Sequence, residues 1–170
     1  GEGFTEFQAP KLIGEDAEGG ANSFDVEYFG HTAHLAQSPQ LYKQIMVGVN
    51  ERVFALMPFF RAEPSHTSRH LSEGKQFEFE MGFFEDWKDV LDIQEGVLKF
   101  IVKYLTEKCA PELAVLGNPL VKAPENVPFP RLTFAEAGEL YFKRTGIDER
   151  QELDLSPAAE RDLCAWSSEK

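Results

Sequence analysis

QFEFEMGF, residues Gln76–Phe83, is the stretch on which the fold turns. Phe77, Phe79, Met81 and Phe83 alternate with Gln76, Glu78 and Glu80, and successive side chains of a strand point to opposite faces of its sheet. The spacing predicts a strand whose Phe face is buried. Upstream, Arg52–Glu63 reads as its partner, joined to it by the polar, turn-rich segment PSHTSRHLSEG. On that partner Arg61 and Glu63 point one way and Phe60 and Ala62 the other. If the faces of Arg61 and of Glu78 and Glu80 coincide, one side of the sheet carries an arginine and several carboxylates, with Arg69 and His70 in the joining loop. Planar arginine donors suit carboxylate or phosphate, and carboxylates suit ammonium groups or magnesium. A solvated sheet face with cross-strand ion pairs accounts for the same residues, and alternation alone leaves both readings open.

Working outward, Gly3–Ala9 reads as a strand closed by Pro10, and Ser23–Phe29 with Thr32–Ala36 as a hairpin around Gly30. Within AQSPQLYKQ, residues 36–44, Ser38 can cap a helix whose first position is Pro39, running to about Val49. By residue type alone Lys43 in that helix is a surface lysine, as most lysines are. Trp87–Lys108 has Val90, Leu91, Val97, Leu98, Ile101 and Leu105 on one stripe and predicts a long amphipathic helix. Ala110–Pro130 reads as a Pro-rich connector. Thr133 and Glu136 form a capping box opening a helix that Gly146 ends, and Ser156-Pro157 repeats the start signal. Strands that pair locally, followed by helices, predict an α+β fold: a mainly antiparallel sheet flanked by helices.

At 170 residues the chain can bury one sizeable core. Its 29 acidic against 17 basic residues, net −12, exclude general polyanion binding by this chain alone, because phosphate contacts need clustered Lys and Arg. Cys109 and Cys164 are far apart and show no metal-ligand spacing. No apolar run approaches the roughly 18 residues of a membrane span and no leader pattern is present, so the expectation is a cytoplasmic protein with no membrane association. A first residue that is Gly rather than Met suggests part of something larger.

Three stretches carry a resemblance. EGGANSFDVEYF, LAQSPQLYKQ and RVFALMPFFRAEPSHTSRHLSE occur in that order and resemble the catalytic core of class II aminoacyl-tRNA synthetases of the aspartate, asparagine and lysine subgroup. Within it QSPQLYKQ is similar to the aspartyl version of the archaeal and eukaryotic type. FTEFQAPKL resembles the end of the first class motif, and FRAE with RHL the second. PFPRLTFAEAGELY and SPAAERDL match more loosely. The resemblance implies a substrate pocket of Glu18, Gln40, Leu41, Tyr42, Lys43, Arg61 and Glu78. In it Lys43 meets the side-chain carboxylate of aspartate, while Glu18 and Glu78 hold the α-ammonium. It implies ATP contacts from Arg61, Ala62, Glu63, Arg69, His70 and Leu71, with Arg61 as the catalytic residue bridging the substrate carboxylate and the α-phosphate. An asparagine amide would leave the Lys43 charge unpaired, and mismatches of that kind discriminate strongly.

Some features depart from the pattern. Gly74 stands where many relatives have an aromatic residue stacking on adenine, and Glu78 where the family has aspartate. The third motif, the magnesium carboxylates before it and the anticodon-binding domain do not occur in residues 1–170. The chain therefore reads as a partial catalytic domain, from the end of motif 1 through motif 2, with the Mg2+ ligands outside it and no activity expected of it alone. The expected whole is an aspartate–tRNA ligase using aspartate, ATP and tRNA, a homodimer through the strand ending at Pro10. Two other readings share this core: a non-catalytic amino-acid-binding paralogue, and an amidating enzyme resembling archaeal asparagine synthetases.

Overall fold

The computed structural model describes residues 2–15, 22–64, 70–117 and 127–169. They form two compact units, Gly1–Leu91 and Asp92–Lys170. Glu18 and Arg69 lie outside the described residues.

The first unit holds two small sheets and one helix. In the first sheet β1 (Thr5–Glu6) runs parallel to β5 (Arg52–Phe60), and β5 pairs antiparallel with β6 (Glu73–Met81). In the second, β4 (His31–Leu35) lies between β2 (Leu12–Ile13) and β3 (Asp25–Tyr28), antiparallel to both. The expected mixed fold with mainly antiparallel pairing is present, and so is the hairpin around Gly30. Its two-residue turn has positive φ at both Phe29 and Gly30, the combination that matches the twist of paired strands. A backbone bond joins the two sheets, from Phe60 N–H to Ala36 O at 3.1 Å, and Ala36 N–H extends the β2–β4 ladder by donating to Lys11 O at 2.9 Å. Helix α1 (Gln40–Asn50) packs on β5 and β6, laying Tyr42, Met46 and Val47 against a core of Phe7, Val53, Ala55 and Met57.

The structure corrects several expectations. Gly3–Ala9 gives only the two-residue β1, because pairing with β5 spans Thr5 and Glu6, with one more bond from Phe7 N–H to Phe54 O. β5 stops at Phe60: Arg61 N–H still reaches Ser72 O, but Ala62 N–H turns away to Asn22 O. β6 stops at Met81, where Gly82 N–H bonds back to Glu51 O and Phe83 takes a φ of 55°. Helix α1 begins one residue late. Pro39 is its cap position, and Ser38 Oγ accepts from Gln40 N–H. Strand β2 had no sequence signal, since two residues are too few for a period. Part of the expected connector is helix α3 (Ala110–Leu116), in which Pro111 sits in the first turn, where its missing N–H costs nothing.

The largest correction concerns the buried face. The register sets Val53 opposite Glu80, Ala55 opposite Glu78 and Met57 opposite Gln76, so α1 covers the glutamate face together with the apolar side of β5. Glu78 is 7% exposed, whereas Phe77 on the other face is 48% exposed.

The second unit is helical. The long α2 (Trp87–Lys108) enters it from the first unit; its stripe forms as expected, yet Leu98 and Ile101 remain exposed. Helix α4 (Phe134–Thr145) has the predicted capping box, Thr133 Oγ1 accepting from Glu136 N–H, and ends at a left-handed Gly146. Helix α5 (Pro157–Ser167) is capped by Ser156 and packs on α4.

Candidate active site

Lys43 is the one buried residue among the described residues of α1. A lysine reaches such a position only with a counter-charge, because an unpaired ammonium cannot leave water cheaply. The counter-charges come from β6: Lys43 Nζ lies 2.6 Å from Glu78 Oε2 and 3.6 Å from Glu80 Oε2. Local geometry makes the meeting possible. Lys43 shares a helix face with Val47, four residues on, and that face is seated on β5 and β6.

The polar set is not closed. Glu78 Oε1, Gln76 Oε1 and Lys11 Nζ are all buried without a hydrogen-bond partner among the described residues. A cation and two acceptors left unsatisfied under cover are the opposite of what an inert core selects. Burial holds the Lys11 ammonium below the usual lysine range, and the charge of Glu78 opposes that fall. The buried Lys11 amine, in PKL, drew no notice in the sequence, where the segment was read for its strand and its resemblance to the first motif. Gln76 was seen only as a polar rung of the alternation.

The remaining expected residues spread along the adjoining edge. Gln40 opens α1 with its N–H on Ser38 Oγ at 3.1 Å, and Tyr42 packs on the core. Leu41 is exposed. Arg61 follows β5, two residues past Phe59, and its guanidinium carbon lies 5.3 Å from the centre of the Phe59 ring. Gly74 is paired directly with Phe59, whose ring fills the space a side chain there would take: a Cβ at Gly74 would fall 2.7 Å from Phe59 Cε1. Ala62 is held by its N–H on Asn22 O at 3.0 Å. His70 Nε2 stands 3.7 Å from Glu63 Oε2, and Leu71 is exposed. Lys43, Glu78 and Glu80 are thus brought together, as are Glu63 and His70. The arrangement offers a buried amine and carboxylates to a small zwitterion, with the half-buried Arg61 along the adjoining edge suited to an anion. Among the described residues no cluster of three or more His, Cys, Asp or Glu is arranged to hold a metal ion, and no helix is long and apolar enough to cross a membrane.

Comparison with known proteins identifies the family. The aspartate–tRNA(Asp/Asn) ligase of Deinococcus radiodurans is 47% identical over 163 residues, covering 96% of this chain and 37% of that protein. The enzyme of the same name from Thermus thermophilus is 42% identical over 167 residues, covering 98% of this chain and 39% of that protein. The chain therefore spans less than two-fifths of these relatives. Among solved structures, asparaginyl-tRNA synthetase from Pyrococcus horikoshii with asparaginyl-adenylate superposes with a TM-score of 0.81 at 30% identity, covering 97% of this chain and 38% of that one. The family model for class II tRNA synthetases (D, K and N) matches residues 1–167, and the chain belongs to that family.

Proposed function

We propose that the chain is part of the catalytic domain of a cytoplasmic aspartate–tRNA ligase, running from the end of the first class motif through the second. The complete enzyme activates aspartate with ATP to aspartyl-adenylate and transfers it to tRNA. The observation that carries this reading is the buried Lys43 set against Glu78 at 2.6 Å: a cation kept under cover selects a carboxylate side chain and rejects an amide. Glu78, with Glu18, holds the α-ammonium; Gln40, Leu41 and Tyr42 frame the side chain. Arg61 bridges the substrate carboxylate and the α-phosphate, and Ala62, Glu63, Arg69, His70 and Leu71 form the nucleotide side. When a carboxylate attacks phosphorus two anions must meet, so the protein's task is charge neutralisation and in-line placement, without a covalent protein nucleophile.

Family relatives use ATP as a substrate, typically with magnesium. The described residues do not fit that ion, since Glu78 and Glu80 are engaged by Lys43, and no step is assigned to it in this chain. Homodimerisation through β1 and the segment to Pro10 is part of the same proposal, supported by the resemblance of that segment to the first class motif. The test is aspartate-dependent exchange of pyrophosphate into ATP by the complete enzyme. Exchange with aspartate and none with asparagine is expected; equal rates with both would refute the assignment.

A further inference from the structure

Gln76 Oε1 and Glu78 Oε1 are both buried and accept no hydrogen bond from the described residues. The two residues are neighbours on one face of β6, so their side chains leave the sheet on the same side, about 7 Å apart at the backbone. The register places Met57 opposite Gln76 and Ala55 opposite Glu78, and both are buried apolar residues with no donor to offer. Lys43, which α1 lays over this face, already spends its ammonium on Glu78 Oε2 and Glu80 Oε2, and Lys11 Nζ bonds to neither open oxygen. A buried acceptor without a donor is costly in a folded protein. Two on adjoining rungs of one strand face mark a place where the donors arrive with a ligand. What arrives must carry several N–H bonds in one small group, as an ammonium does with its three donors. The negative charge of Glu78 selects such a cation over a neutral amide.

We infer that Gln76 is a substrate-binding residue: its side-chain carbonyl accepts a hydrogen bond from the α-ammonium that Glu78 also holds. This rests on the reading of the pocket as the aspartate site, in which Glu78 takes the α-ammonium. The two acceptors divide the work. Glu78 supplies charge, and Gln76 supplies a second direction, which fixes how the amino group points and with it the α-carboxylate that must reach phosphorus. A neutral acceptor also adds no third negative charge beside Glu78 and Glu80, so the Lys43 ammonium is not outnumbered further when the substrate's own carboxylate comes to it.

The test compares two ligands on the complete enzyme by calorimetry: L-aspartate, and succinate, the same dicarboxylate skeleton without the amino group. In Gln76→Met, which keeps the length of the side chain and removes the acceptor, L-aspartate should bind on the order of tenfold more weakly, the worth of one hydrogen bond to a charged group. Succinate should bind as it does to the parent. The ligand-free variant should melt no lower than the parent, because the atom removed had no partner to lose. Gln76→Leu serves if the methionine variant does not fold. Equal losses for both ligands, no loss for either, or a lower melting temperature overturns the inference. The functional reading beneath it fails differently. A parent enzyme that binds L-asparagine as tightly as L-aspartate removes Lys43 as the carboxylate's partner, while the contrast between L-aspartate and succinate still decides the role of Gln76.

Discussion

Two lysine–glutamate pairs, one in each unit, meet at nearly the same distance and differ in how fully they are satisfied. In the first unit Lys43 and Glu78 are 2.6 Å apart; in the second, Lys99 and Glu95 are 2.7 Å apart. The second pair is closed on every side. Lys99 also donates to Val127 O, while Glu95 accepts from Phe129 N–H and pairs with Arg131. These bonds, from Lys99 first and Arg131 next, hold the Glu95 carboxyl down to about 2. The first pair is open: one oxygen of Glu78 and the amine of Lys11 are buried and unmatched. A saturated ion pair ties a segment of chain to a helix. An unsaturated one under cover keeps binding capacity that a ligand can use, at a cost in stability that the fold carries elsewhere.

The sharpest way to break this contrast is to remove Lys43. In the complete enzyme Lys43→Met should lower activity with aspartate by about a hundredfold or more, since stripping one partner from a buried pair costs about 3–5 kcal/mol. ATP affinity should change far less. Equal losses for aspartate and ATP in steady-state kinetics would class Lys43 with Lys99 as a structural tie.

A packing change on the nucleotide side should have a smaller effect. Gly74→Ala drives a methyl into the Phe59 ring, and overpacking of this kind costs about 1–3 kcal/mol. Denaturant melts read the loss, which should appear in the first unit and leave the amide exchange of α4 and α5 untouched. A loss shared by those helices would mean the two units do not respond separately.

In the second unit the expected effects are local. Ser156→Ala removes the oxygen that accepts Ala159 N–H and should cost about 1 kcal/mol in thermal stability, the usual worth of a helix cap. An unchanged melting temperature would show that α5 does not depend on its cap. The smallest effect is the acid response of the closed pair. The Glu95 pKa lies below its ordinary value of 4.5, at about 2, so its contribution is complete above pH 4.5 and drains away as pH falls toward 2. The Phe129 amide, which Glu95 holds, should lose exchange protection across that window. Loss already at neutral pH would mean the pair is not formed.

Much of the second unit and the hairpin could be read from the chain. Thr133 with Glu136, Gly146, Ser156-Pro157 and the turn at Gly30 act within a few residues of themselves, so their effect survives without knowledge of what packs on them. The family, too, was legible, because its motifs are runs of adjacent residues. What the chain could not reveal was which face of β6 is covered. Period-two alternation is symmetric between faces, and choosing one depends on where a distant helix lands. Tertiary packing put α1 on the glutamate side, which left Phe77 half exposed and made Lys43, by type a surface residue, the buried partner of Glu78. The same packing buried the Lys11 amine, sixty-seven residues away from Glu78 in sequence. Turn and cap chemistry is local and was written in the residues; the charge pairing of the site is a contact between segments far apart in the chain, and only the fold could decide it.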